Sequence, residues 1–98
     1  MLFLVRLTDR SSAGELRSQF LEAHKAWLME RREQVRAAGI LRKDENEPSL
    51  GACWIVAAES RKAVEQLVRS DPFYLNGVRD TYEILLWSRA FPPGPVTL

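Results

Sequence analysis

Three short segments of this chain are apolar at consecutive positions rather than at alternate ones: Leu2-Phe3-Leu4-Val5, Trp54-Ile55-Val56 and Ile84-Leu85-Leu86-Trp87. Successive side chains of a strand point to opposite faces, so each segment makes its sheet apolar on both sides. Phe3, Val5 and Leu7 fall on one side of the first strand, with Leu2 and Leu4 on the other. Trp54 and Val56 likewise oppose Cys53 and Ile55, and Ile84 and Leu86 oppose Leu85 and Trp87. Such a sheet has to be covered twice. Two helices cover one face of a four-stranded sheet, and an apolar face left in water is unusual for a soluble monomer. The second face therefore calls for another copy of the chain, in a two-fold contact between sheets.

The order of elements supports this frame. Residues 2–8 read as a strand, closed by the polar run Asp9-Arg10-Ser11-Ser12. From 15 to 38 the apolar residues Leu16, Phe20, Leu21, Trp27, Leu28 and Val35 recur at helical spacing, which predicts one long helix with Gly39 as its stop. A short strand is expected at 40–43, a loop at 44–49 and a strand at 51–58. Ser60 is placed to cap a second helix that runs to Arg69 and buries Ala63, Val64, Leu67 and Val68. Asp71-Pro72 suits the start of one more helical turn and Gly77 its end, before a last strand at 82–91 and the stiff tail Pro92-Pro93-Gly94-Pro95. The predicted class is α+β, with the split β-α-β-β-α-β order.

Composition narrows the function more than it identifies one. At 98 residues, 46% hydrophobic and 28% charged, the chain fits a single domain over 1–98 with no room for a separate catalytic module. Its 14 basic and 13 acidic residues are interspersed, leaving no basic stripe for nucleic acid. Arg6 interrupts the opening apolar run well short of a signal sequence or a span of about 20 residues, so a cytoplasmic protein without membrane attachment is expected. Cys53 is the lone cysteine and reads as a small apolar residue. One histidine and one cysteine do not make an ordinary zinc site in a single chain. Neither a phosphate-binding glycine loop nor a Gly-x-Ser-x-Gly elbow occurs.

The residues with chemistry to offer are few. His24 is the only histidine, and its helical neighbours Phe20, Leu21, Trp27 and Leu28 are all apolar, which aims its imidazole at the core. A histidine can take and return a proton near neutrality, making His24 the candidate acid/base; the plain alternative is a core histidine that donates to a carbonyl. Asp71 is the candidate partner that fixes the ring's tautomer. As an aspartate before proline it is equally suited to cap a helix, and the two roles can coexist with one carboxylate oxygen capping while the other meets the imidazole. Trp27, Trp54, Phe73, Tyr74, Tyr82 and Trp87 are candidate walls for a flat, partly apolar ligand, Phe73 and Tyr74 foremost because they follow Asp71, although aromatics at such spacing more often serve as plain core. Arg31, two turns beyond His24, reads as a side chain lying along the core edge rather than as a catalytic group.

The opening strand, the helix with His24-Lys25-Ala26-Trp27-Leu28, Gly39-Ile40-Leu41, the strand at 51–58 and the helix leading into Asp71-Pro72-Phe73 resemble, in order and spacing, the YCII-related family. The resemblance implies a ferredoxin-like subunit that pairs sheet to sheet as a dimeric α+β barrel. It also implies a histidine and aspartate active-site pair, matched here by His24 and Asp71. The segment 41–48 and Trp87-Ser88-Arg89 depart from the family pattern, so a substrate does not transfer by analogy. The first reading is a cofactor-free enzyme of proton transfer, isomerising a small cyclic or aromatic acid or eliminating a leaving group from it. The alternative is a non-catalytic dimer that binds a small ligand in the same place. A cofactor-free oxygenase is a third reading, and haem held by the single histidine stays open.

Overall fold

In the computed structural model, which describes residues 1–95, β1 (Leu2–Asp9) runs through the middle of a four-stranded sheet. The end of the expected single domain at Leu98 lies outside the described residues. Helix α1 (Gly14–Glu30) follows, then β2 (Val35–Leu41), β3 (Gly51–Ala57), α2 (Arg61–Ser70), the single turn α3 (Pro72–Leu75) and β4 (Arg79–Trp87). The strand order is β2-β3-β1-β4 and every pairing is antiparallel. This is the ferredoxin-like arrangement expected from the order of elements.

The core lies between the sheet and the two long helices. Phe3, Val5 and Leu7 of β1 meet Trp54 and Val56 of β3, with Trp27 from α1 and Val64, Leu67 and Val68 from α2 closing over them. Ser60 accepts a bond from the backbone N–H of Ala63, so the cap read from sequence starts α2. The opposite face is built from Leu4, paired with Ile55 and Leu85, and from Arg6, paired with Cys53 and Glu83. Leu85 is 45% exposed there. Along β1 this face carries the 2.8 Å ion pair of Arg6 with Glu83.

Three elements differ in their bounds from the sequence expectation: α1, the last strand, and β2, which spans Val35–Leu41 where a short strand at 40–43 is expected. α1 stops at Glu30 rather than at 38, and the chain turns through hydrogen bonds from the Gln34 and Val35 N–H groups to the Arg31 carbonyl. Val35, seven residues beyond Leu28, keeps the helical period but belongs to β2, where it is buried opposite Val56. Gly39 is consequently a mid-strand residue opposite Cys53, not a helix stop. Tertiary pairing outweighs local periodicity here, since β3 would otherwise have no partner on that side. The last strand begins earlier and ends earlier than the expected 82–91, because Arg79 already pairs with Asp9.

A glycine is required at one point of the sheet. Gly51 has φ +149°, and a Cβ on it would stand 1.8 Å from the Leu7 carbonyl oxygen. No rotamer change relieves a backbone clash of that size. Gly51→Ala is expected to destabilise the protein by about 3 kcal/mol. Thermal unfolding should show a fall in Tm of roughly 10–20 °C; an unchanged Tm would contradict the close approach of β3 to β1.

Candidate functional site

His24 and Asp71 are brought together from 47 residues apart, with Nδ1 of the ring 2.7 Å from Oδ1 of the carboxylate. His24 is 7% exposed and Asp71 is fully buried. The geometry follows from the local folding of α3. Asp71 is extended, ends α2 and caps α3 by accepting the Phe73 N–H at 3.0 Å, on the same Oδ1 that meets the imidazole. Both contacts fall on one oxygen rather than one on each as expected, and Oδ2 makes no hydrogen bond among the described residues.

Phe73 is the backing of the histidine. Its ring stacks on the imidazole at 4.0 Å and 10°, while Trp27 stacks more distantly at 6.5 Å and leans on Trp54. Tyr74 is placed elsewhere, edge-on to Tyr82 at 6.0 Å. Neighbouring residues on a helical turn diverge by about 100°, so only one of Phe73 and Tyr74 can face α1. Arg31 lies over the Trp27 indole at 4.8 Å and caps the end of α1, in keeping with a role at the core edge.

Beside the pair is a partly open cavity of about 260 Å3 between α1 and the sheet. His24 borders it, together with Leu21 and Leu28 from α1 and Trp54 from β3. Trp27, Phe73 and Tyr74 do not line it; the first two fix the ring from behind. With Nδ1 spent on Asp71, the Nε2 edge is the one left without a hydrogen-bond partner among the described residues. An imidazole donating Nδ1–H to a carboxylate presents Nε2 as an acceptor, the form needed to take a proton.

The sequence reading missed the charges behind this pair. Arg79, the first residue of β4, has a side chain only 1% exposed and donates from Nη1 to Asp9 Oδ1 at 2.7 Å. Its Nη2 stands 3.7 Å from Asp71 Oδ2. Asp9 Oδ2 in turn accepts from Arg17 Nη1 at 2.5 Å. The guanidinium carbons of Arg17 and Arg79 lie 5.0 and 5.1 Å from the centre of the Phe73 ring. The result is a line of alternating charge, Arg17, Asp9, Arg79 and Asp71, ending at His24. A buried arginine between two carboxylates balances charge that neither could leave unpaired in the interior. Burial lowers the Arg17 pKa below its ordinary value, with Asp9 acting against that trend. Only the polar run after the first strand hinted at this cluster, and nothing in the spacing of Asp9, Arg17 and Arg79 announces it.

A helix-covered antiparallel sheet with one polar pair beside a small pocket defines a ferredoxin-like α+β protein of the small ligand-binding or catalytic kind. A model of the YCII-related domain matches residues 1–88, and the chain belongs to that family. Among solved structures it is similar to the 5-chloro-2-hydroxyhydroquinone dehydrochlorinase TftG from Burkholderia phenoliruptrix AC1100, in complex with 2,5-dihydroxybenzoquinone. The TM-score is 0.82 at 26% identity, over 92% of this chain and 96% of that one. SnoaB, a cofactor-independent oxygenase from Streptomyces nogalater, shares the fold, with a TM-score of 0.50 and 19% identity over 95% and 96% of the two chains. No curated protein sequence gives a significant match. Among the described residues no three His, Cys, Asp or Glu side chains gather as a metal would require, and no helix is long and apolar enough to cross a membrane.

Proposed function

We propose that this protein is a small enzyme that works by proton transfer without a cofactor, eliminating a leaving group such as halide or water from a small cyclic or aromatic acid, or isomerising it. The observation that carries this reading is the 2.7 Å contact of His24 Nδ1 with Asp71 Oδ1, on a histidine that borders a cavity. Nε2 of His24 takes a proton from a ring hydroxyl or carbon of the substrate. On an aromatic ring the imidazolium returns that proton to the carbon bearing the leaving group, giving the keto tautomer, at which isomerisation ends. For elimination Nε2 then takes a second hydroxyl proton, and the released electron pair forms a C=O bond and expels the leaving group from the now tetrahedral carbon. Asp71 holds the Nδ1–H tautomer and stabilises the imidazolium that forms, and the apolar walls from Leu21, Leu28 and Trp54 keep water from competing. The likeness to a dehydrochlorinase supports elimination over isomerisation.

The experiment is to incubate the protein with chlorinated hydroxyhydroquinones and follow chloride release, comparing the natural chain with His24→Asn. Release that depends on His24 supports the enzyme reading. A protein that binds these rings without consuming any of them is the accessory ligand-binding dimer instead.

The sheet face bearing Leu4, Ile55 and Leu85 is proposed to be covered by a second copy of the chain, because both helices lie on the other side. Sedimentation at micromolar concentration is expected to give twice the 11.2 kDa chain mass. A monomer across the whole concentration range would overturn this arrangement. The single thiol of Cys53, free and half-buried, suits a reducing compartment, and the cytoplasm is where we place the protein.

A further inference from the structure

We propose that Arg79 is a positioning residue that keeps Nε2 of His24 free of a proton, acting through the charge it places beside Asp71. This rests on the reading of His24 as the base and adds what holds it in its working form. The carboxylate of Asp71 is fully buried, and its Oδ1 accepts from His24 Nδ1 and from the Phe73 N–H. Oδ2 makes no hydrogen bond among the described residues, and the one permanent cation paired with it there is Arg79, with Nη2 at 3.7 Å. A carboxylate enclosed in this way without a cation takes up a proton rather than stay charged.

The charges behind the pair leave this task to Arg79. Asp9 accepts from Arg17 on Oδ2 and from Arg79 on Oδ1, so Arg17 balances Asp9 and the charge of Arg79 remains for Asp71. Arg79 is held in place by the Phe73 ring, 5.1 Å from its guanidinium carbon, the same ring that stacks on the imidazole. The other charged groups that face the histidine come from α1: Arg17, committed to Asp9, and Lys25, an exposed side chain 3.6 Å from Glu22. Trp54 from β3 and Phe73 from α3 bring no charge. Beside Arg79 the Asp71 carboxylate is ionised and only accepts, so Nδ1 donates and a neutral ring has no second proton for Nε2. Without that cation the histidine and the aspartate together take up one proton from solvent. Whether that proton lies on Nδ1 or on Oδ1, the ring then carries a proton on Nε2, and the edge that would serve as base is blocked.

His24 is the only histidine, so nitrogen NMR of the uniformly 15N-labelled protein shows a single imidazole and reports which of its nitrogens is protonated. At about pH 8, where an unperturbed imidazole is neutral, the natural protein is expected to show a proton on Nδ1 and none on Nε2. Arg79→Met should show Nε2 protonated under the same conditions. On the chlorinated hydroxyhydroquinones, the pH at which its chloride release reaches half of the plateau should rise by about one unit or more. Arg79→Lys keeps a cation between Asp9 and Asp71, and its Nε2 should stay bare even if the protein melts at a lower temperature. An arginine that only packs Phe73 in place would change Tm alone and leave Nε2 bare in every variant. The nitrogen signals are read without substrate, whereas His24→Asn tests turnover, so a failure of the base reading and a failure of this proposal are distinguished. A proton on Nε2 in the natural protein, a bare Nε2 in folded Arg79→Met, or a protonated Nε2 in folded Arg79→Lys would overturn the proposal. Should Arg79→Met not fold, the natural protein and Arg79→Lys decide it.

Discussion

His24→Asn should lower turnover by about 10²–10⁴-fold while leaving the protein folded. Asparagine keeps a polar group of similar reach, able to donate to Asp71 Oδ1 as the imidazole Nδ1–H does at 2.7 Å. It has no group that takes up a proton near neutrality, so the loss falls on kcat, and KM should move little if binding depends on the cavity walls. Asp71→Asn is expected to lose less, because an amide oxygen can still accept the Phe73 N–H and hold α3 at a cost of about 1 kcal/mol or less. Full turnover in His24→Asn would remove the acid/base role. A variant that fails to fold would mark His24 as a core residue.

The largest effect on stability belongs to Arg79. Replacing it with methionine preserves much of its bulk but leaves the buried Asp71 without a cation and Asp9 with Arg17 alone. Removing one partner of a buried ion pair costs about 3–5 kcal/mol, which lowers Tm by roughly 15–30 °C in a domain of this size. Removing the Asp71 charge as well, in Arg79→Met/Asp71→Asn, should recover part of that loss, because the carboxylate left without a cation then disappears. The exposed pair of Lys25 and Glu22 is the control: breaking it with Lys25→Met should leave Tm nearly where it was. An Arg79→Met protein as stable as the natural one would mean that the buried charges are satisfied in some other way.

Much of this architecture could be read without coordinates, for physical reasons that also explain the failures. Strands apolar on both sides announce a sheet between two apolar neighbours, and the order of elements then leaves the ferredoxin-like arrangement as the natural solution. His24 and Asp71 each have a local signature, an isolated histidine on an apolar helical stripe and an aspartate before proline, and the resemblance to the YCII-related family is what paired them. The end of α1 was not legible. Glu30-Arg31-Arg32-Glu33 contains no glycine or proline, and Val35 preserves the helical period while serving a strand. The alternating line of Arg17, Asp9 and Arg79 escaped for a different reason. Its members come from three elements, and charged residues on the polar runs of a sequence look alike whether they end in water or beneath a helix. Tyr74 shows the limit of reading a motif by adjacency: following Phe73 in the chain puts it on another side of the turn.

The double engagement of Asp71 Oδ1 separates the fates of the two residues under mutation and selection. A chain that needed only to fold would still keep an aspartate at 71, since α3 begins on its carboxylate and Arg79 is balanced by it. Position 24 has no such insurance. Its imidazole fills space between Phe73 and Trp27 that an apolar side chain could fill as well. In a lineage released from the chemistry, histidine would be the first to drift and aspartate would linger. If His24 carries the proposed chemistry, a histidine at 24 is the position that records its continued use, while an aspartate at 71 records only that the chain still folds.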